Sequence, residues 1–322
     1  MNTLQEISLH MPLPPSVLWF EQWRPLFRRL LRLPLLRPLR PLARRAAAVA
    51  EPAASLTLQS QPARRAVHSA RTLTVLSANL WHDWPRHRLL YRRLESLAEL
   101  IEQEGVDVAL LQEVARTPAL RVDEWMSRRL GMAHVYSRAN GHERAIGFEE
   151  GLAIRSRFPL HEPQLCHLGG SRNPFVRRMA LAVTLHTPHG NLLAASVHLG
   201  LLRRHNVSQL RRLQAWSATV AAGQPMVIGG DFNAPEDSPQ IAQAQAWWQD
   251  TFRALHPHAD GTTHELRWPW GGTLRRHRLD YLFLQGGGQA WRVLEARSVE
   301  TPHLPHSDHR AVLVRLAPAT QQ

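Results

Sequence analysis

The sequence predicts a mixed α/β protein, a sandwich of two β-sheets carrying helices, and three observations lead to that expectation. Short apolar runs of strand length recur from residue 72 onward, and several end in a polar or charged residue. Stretches with helical spacing separate some of these runs. Others are joined only by a short turn, as at residues 187–191, so parallel and antiparallel pairs share the same sheets.

The first core strand is expected at residues 73–80, a compact β-prone run containing Asn79. Residues 88–103 have helical spacing, and residues 106–113 form a second strand whose last residue is Glu113. Further strands are expected at 151–155, 179–186, 191–197, 225–229, 279–284 and 311–316, with helices at 206–221 and 240–252. No internal repeat is visible, so residues 72–317 are expected to form one domain and 318–322 a tail.

With 322 residues, 44% of them hydrophobic, the chain can bury a substantial core. All 39 basic residues are arginine, and the formal net charge is +13. That balance attracts polyanions such as nucleic acid, anionic lipid or phosphorylated metabolites without choosing among them. It is unevenly placed: residues 1–71 hold 11 Arg against Glu6, Glu21 and Glu51, whereas the remainder holds 28 Arg against 23 acidic residues.

Residues 16–45 interleave Trp19, Phe20, Trp23, Leu26 and Phe27 with Arg24, Arg28 and Arg29. This is the spacing of a basic amphipathic helix that suits an anionic membrane surface, with a disordered solvated tail as the alternative. Pro34, Pro38 and Pro41 interrupt the period, and residues 46–70 read as a linker, which makes residues 1–71 a separate segment. The single cysteine, Cys166, excludes an intramolecular disulfide and a cysteine-cluster metal site, and is expected to be small apolar packing. No apolar run approaches the roughly 18 residues that span a bilayer. Residues 1–20 lack the basic start and clean apolar stretch of a secretory signal, so a cytoplasmic location is expected, at most peripheral to a membrane.

The chemistry-bearing residues sit at strand ends: Asn79, Glu113, His198, Asp231 with Asn233, Asp280, and Asp308 with His309. A single carboxylate in such a place is usually a turn residue; their joint occurrence predicts one cleft. In Gly229-Gly230-Asp231-Phe232-Asn233 the glycines permit a sharp turn, the Asp can accept a proton from water, and the Asn can hold that water in line. Ser307-Asp308-His309 offers an imidazole for acid/base work or for a phosphate oxygen. His256, His258, His303 and His306 fall in loops without metal-ligand spacing and are expected at the surface.

Taken together, Ser77-Ala78-Asn79, Leu111-Gln112-Glu113, Val197-His198, Gly230-Asp231-Phe232-Asn233, Arg278-Leu279-Asp280 and Ser307-Asp308-His309 resemble, in order, the endonuclease/exonuclease/phosphatase superfamily, the DNase I-like group. The resemblance covers residues 72–317 and implies a four-layer α/β sandwich with two mixed sheets. It also implies Mg²⁺-dependent hydrolysis of a phosphodiester or phosphomonoester, with Mn²⁺ as an alternative ion. Glu113 would be the principal metal ligand, with Asn79 and Asp308 close to the metal. Asp231 would activate or orient the attacking water, and Asn233 would contact the phosphate. His309 would be held by Asp280, and His198 would act as a second histidine partnered by Glu150. Arg178, or Arg177 in its place, would contact the phosphate.

His198 disfavours the abasic-site endonuclease branch, and Arg276-His277-Arg278 stands where inositol 5-phosphatases carry a different element. A nucleic acid and a lipid or small phosphoester both remain open as substrates, and a catalytically silent binding module is the alternative. No obligate protein partner is expected.

Overall fold

A computed structural model describes residues 4–8, 38–52, 55–63, 72–169, 173, 175–268, 270–286 and 291–319. The strands are β1 (Gln5–Ser8), β2 (Ser55–Gln59), β3 (Leu73–Asn79), β4 (Val108–Arg116), β5 (Ala133–His142), β6 (Phe148–Ser156), β7 (Leu160–His167) and β8 (Met179–Thr187). They continue with β9 (Gly190–His198), β10 (Met226–Asp231), β11 (Gln249–Asp250), β12 (His264–Arg267), β13 (Thr273–His277), β14 (Asp280–Gln285), β15 (Trp291–Val299) and β16 (Ala311–Pro318). The helices are α1 (Arg40–Ala50), α2 (Leu90–Gln103), α3 (Val122–Leu130), α4 (Glu143–Ile146), α5 (Arg203–Ala221), α6 (Pro239–Trp247) and α7 (Thr251–Leu255). No described helix is long and apolar enough to cross a membrane.

One sheet has the order β1-β2-β5-β6-β4-β3-β16-β15 and the other β11-β14-β10-β9-β8-β7, while β12 and β13 form a separate hairpin. Both sheets are mixed: β3 and β4 are parallel, as are β9 and β10, and their other pairings are antiparallel.

Period-2 alternation puts neighbouring residues of each central strand into different cores. Val75, Leu110 and Val227 pack between the sheets. Leu76 and Leu111 face outward onto Leu94, Leu97 and Ile101 of α2, and Ile228 faces outward onto Leu210 and Leu213 of α5. The layer order is therefore helix, sheet, sheet, helix, the four-layer sandwich expected. Strands covered on both faces need no polar alternation, which is why β3, β4 and β10 read as continuous apolar runs.

Two expectations are corrected. The linker expected at residues 46–70 contains the end of α1 and all of β2, whose Leu56 is 1% exposed and lies in the core between the sheets. Pro41 lies in the first turn of α1, where its missing N–H is harmless. Residues 16–37 of the expected amphipathic helix lie outside the described residues. The helix expected over 240–252 is two helices with β11 between them, because the Asp250 side chain accepts from the backbone N–H groups of Phe252 and Arg253 and caps a new start. Cys166 is half-buried, and burial pushes its thiol up to about 11.

Replacing Leu56 tests whether β2 belongs to the core. Leu56→Ala should lower the unfolding free energy by about 2–4 kcal/mol in urea titrations, the cost of a cavity in a packed interior. An unchanged midpoint would return β2 to the status of a linker.

Candidate active site

The pairing pattern delivers the expected residues to one edge. Asp231, the last residue of β10, is in register with His198 at the end of β9 and with Asp280 at the start of β14. A Cβ at Gly230 would lie 1.9 Å from the Val197 carbonyl oxygen, so only glycine lets β10 approach β9 this closely. In the other sheet, β4 carries an irregularity between Leu111 and Val114, and Glu113 there has a left-handed φ of 54°. Such a bulge re-aims a side chain out of the ladder.

Polar side chains tie the two sheets together behind this edge. Gln112, fully buried, donates to Ser77 Oγ at 3.3 Å in its own sheet and to Ser196 Oγ at 3.0 Å in the other. Asn79 Nδ2 donates to Glu113 Oε1 at 3.3 Å and, across the sheets, to Asp231 Oδ2 at 3.1 Å. The Glu113 carboxylate also accepts from the His82 backbone N–H at 3.3 Å, and His82 Nε2 lies 3.5 Å from it.

Asp231 is buried and accepts from the Asn233 backbone N–H at 2.8 Å and from Asn233 Nδ2 at 3.2 Å. Asn233 Nδ2 also donates to the Leu199 carbonyl at 2.9 Å, which fixes the turn. His198 Nε2 lies 3.6 Å from Asp231 Oδ2, and Arg178 Nη1 is 3.2 Å from His198 Nδ1. A guanidinium can only donate, so Nδ1 is the accepting nitrogen and the His198 proton sits on Nε2, toward Asp231. Burial, with Arg178 adding to it, holds His198 well below its ordinary pKa, so the ring is neutral.

His309 differs. Burial opposes its charge, but the Asp280 carboxylate 2.8 Å from Nδ1, with Asp231 and Asp308 beyond, lifts it to about 10. It is an imidazolium at neutral pH. Asp280 Oδ1 is a buried atom with no hydrogen-bond partner among the described residues. Asp308 lies 3.8 Å from His264 Nε2, and the His264 ring packs against His309 with centroids 4.6 Å apart.

The acidic groups resist one another. Burial and then Glu150 push Glu113 up to about 7, and burial and then Asp280 push Asp231 up to about 6. A divalent cation would relieve this repulsion, and the Glu113 and Asn79 oxygens are the hard donors such an ion takes. Two other groupings bring ligand atoms within 4.8 Å of one another: His264, Asp308 and His309; and Asp231, Asp280 and His309. Both include His309, whose Nδ1 is already engaged by the Asp280 carboxylate at 2.8 Å. The oxygen set around Glu113 fits a hard ion better.

Asn79, Glu113, Arg178, His198, Asp231 and Asn233 thus form one connected cluster, with Asp280, Asp308 and His309 forming a second beside Asp231. Three expectations change. Glu150 is not the partner of His198: the β5 and β6 register sets Asn140 opposite Glu150, and the Asn140 amide donates to its carboxylate. Arg177 cannot replace Arg178, because it is buried and donates to the backbone carbonyls of Ala139, Ala50 and Val49 at 2.7, 2.9 and 3.0 Å. His306 is buried, and burial lowers it to about 4.

Several supporting residues were not anticipated. Arg93, 4% exposed, donates to the carbonyls of Leu80, Trp81, His306 and Arg88 at 3.0, 2.9, 2.8 and 3.1 Å. It thereby joins the loop after Asn79 to the loop before His309. Its sequence signal is a lone arginine one position before Leu94 on the apolar face of α2. Arg278 forms a bidentate pair with Asp250 at 2.6 and 2.8 Å and anchors the strand start that carries Asp280.

A search among curated proteins finds no match. Solved structures do resemble the fold. A protein of the endonuclease/exonuclease/phosphatase family from Leptotrichia buccalis is 17% identical, with a TM-score of 0.63 over 76% of this chain and 99% of that one. A mannosyl-6-phosphatase from Bacteroides thetaiotaomicron is 19% identical, with a TM-score of 0.59 over 76% and 99%. D. rerio TDP2 complexed with single strand DNA product is 15% identical, with a TM-score of 0.60 over 76% and 98%. The sequence profile of the Endonuclease/Exonuclease/phosphatase family matches residues 76–309, a span that contains every residue of the cluster. On that match, and with a DNase I-like sandwich beneath it, the chain belongs to the endonuclease/exonuclease/phosphatase family.

Proposed function

We propose that the protein hydrolyses a phosphoester, a phosphodiester or phosphomonoester, by in-line attack of water in the presence of Mg²⁺, with Mn²⁺ as a substitute. The observation that carries this reading is the pairing of a buried carboxylate and a protonated imidazole: Asp231, held on Asn233 and Asn79, beside His309 on Asp280. A site with a proton acceptor and a cationic donor at one edge suits attack at phosphorus, where charge develops on non-bridging oxygens.

The roles divide by geometry. Asp231 takes the proton of the attacking water, and Asn233 orients that water and the phosphate. His309 donates to a phosphate oxygen, while Asp280 keeps its ring charged and aimed. His198, neutral, donates from Nε2, and Arg178 keeps it in that tautomer and adds positive charge. Glu150, held by Asn140, acts as an electrostatic neighbour of Glu113. Glu113 and Asn79, with Asp308 farther along the edge, would hold the ion, which when bound neutralises charge on the phosphoryl group.

Nucleic acid and a phospholipid or small phosphoester are both compatible substrates for this chemistry. The names of the mannosyl-6-phosphatase and of the DNA-bound TDP2 show that relatives sharing the fold differ in substrate. Residues 16–45 are proposed to add contact with an anionic membrane surface.

Hydrolysis of a chromogenic phosphodiester tests the mechanism. Asp231→Asn should reduce turnover by roughly 10²-fold or more with only a small drop in melting temperature, because side-chain volume is kept and one oxygen still accepts while the proton acceptor is lost. Near-normal turnover would overturn the assignment.

Glu113→Gln should raise the Mg²⁺ concentration for half-maximal rate by roughly tenfold or more, since an amide is a poorer ligand for a hard cation. Excess EDTA should abolish the wild-type rate. Full activity in EDTA would exclude the proposed ion.

The His309 charge also has a pH signature in stability. Its folded-state pKa near 10 exceeds the ordinary 6.5, so its stabilisation is complete below about pH 6.5 and is lost as pH rises toward 10. Urea unfolding in EDTA should therefore show the wild-type advantage over His309→Gln shrinking across that window. A difference that stays constant with pH would rule out the imidazolium.

A further inference from the structure

Six of the exposed large apolar side chains fall in three segments that flank the candidate site. Phe175 and Val176 precede β8, Leu201 and Leu202 follow β9, and Trp268 and Trp270 lie at the tip of the β12 and β13 hairpin ahead of β14. All six are in segments that enter or leave the sheets at the edge where Arg178, His198 and Asp280 sit. Three are prominent: Trp270 is 78% exposed, Leu201 75% and Leu202 60%. By contrast, the described turns at the opposite edge, residues 104–107, 157–159, 187–190 and 222–225, have no large exposed apolar side chain.

The hairpin is built into the site. The Thr263 hydroxyl accepts the backbone N–H groups of Leu279 and Asp280 at 3.0 and 3.1 Å, and His264 at its base pairs with His309 as a backbone bridge. Its tip projects two tryptophan rings stacked 4.9 Å apart at 13°. Arginines accompany the apolar tips: Arg203 and Arg204 follow Leu202, and Arg275 is on β13, all exposed.

We propose that the catalytic edge docks on an anionic phospholipid bilayer and that the substrate is a head-group phosphoester presented by that surface. Aliphatic side chains at the tips favour lipid over nucleic acid, because leucine and valine offer no ring on which a base can stack. Tryptophans among arginines match the interface, with rings at the head-group level and guanidinium groups on anionic lipid. The docking surface stands on exposure and placement alone, whereas the substrate assignment rests on the phosphoesterase reading above. The surface is distinct from residues 16–45 and would act without them.

The test uses the full chain and its variant Leu201→Ser/Leu202→Ser/Trp268→Ser/Trp270→Ser, with Trp270→Ser alone as a milder change at an exposed tip whose ring packs only on Trp268 among the ring contacts of the described residues. In EDTA, sedimentation with phosphatidylglycerol-rich vesicles should recover the wild type with the lipid, and phosphatidylcholine vesicles should recover less. The fourfold variant should partition roughly tenfold or more weakly, and Trp270→Ser should fall between. With Mg²⁺, the fourfold variant should hydrolyse vesicle phospholipid at least tenfold more slowly than wild type while retaining its rate on the soluble chromogenic phosphodiester.

Equal partition of variant and wild type overturns the docking surface, as does a dependence of single-stranded oligonucleotide binding, but not vesicle binding, on the two tryptophans. Partition without hydrolysis of any ester upholds the docking surface and defeats the phosphoesterase reading. Hydrolysis of the soluble ester without hydrolysis of vesicle lipid overturns the substrate assignment.

Discussion

A polar group buried in the seam between the two sheets costs free energy unless a hydrogen bond there replaces the one it made to water. Gln112, Ser196 and Asn79 reach across it: Gln112 donates to Ser196, Ser196 to the Leu111 carbonyl and Asn79 to Asp231. A slip of either sheet by one residue would turn these groups toward apolar neighbours and strand them. The relative position of the sheets is fixed at the edge where the chemistry must happen, and the separation of Glu113 from Asp231 follows from it.

The electrostatics of that edge oppose those of the chain as a whole. A protein with a net charge of +13 concentrates four carboxylates, Glu113, Glu150, Asp231 and Asp280, where solvent is scarce. Their repulsion is partly answered by the His309 imidazolium. The two histidines of the candidate site are thus driven apart by their surroundings: Asp280 charges His309, while burial, with Arg178 adding to it, keeps His198 neutral. Identical side chains become a cationic donor and a neutral donor at one edge.

Much of this was legible in the sequence because the doubly covered strands announce themselves. β3, β4, β8, β9, β10, β14 and β16 were all anticipated, and each ends or begins beside a chemistry-bearing residue. β5, β7 and β15 were not, since their polar and apolar positions mix where the sheet is partly exposed. β2 was hidden by composition: Ser55-Leu56-Thr57-Leu58-Gln59 alternates as a strand should, but the surrounding Ala, Pro and Arg obscured it. At the site, residue identities were readable and so was the pairing of His309 with Asp280, but the partner of Glu150 was not. Which carboxylate meets which histidine depends on cross-strand register, and the Asn140 opposite Glu150 comes from β5, a strand that periodicity did not reveal. Arg93 and His306 were missed because a buried polar residue looks, in a sequence, like an exposed one.

Arg177 and Arg178 are consecutive in an extended segment and act in opposite directions. The first closes the C-terminal end of α1 by accepting the role of its missing hydrogen-bond donors, at the Val49 and Ala50 carbonyls. The second lies against the imidazole of His198. Detaching α1 would leave a buried guanidinium without two of its acceptors, an expensive state that the adjacent peptide must absorb. The end of α1 thus anchors the extended segment one residue away from the guanidinium that meets His198.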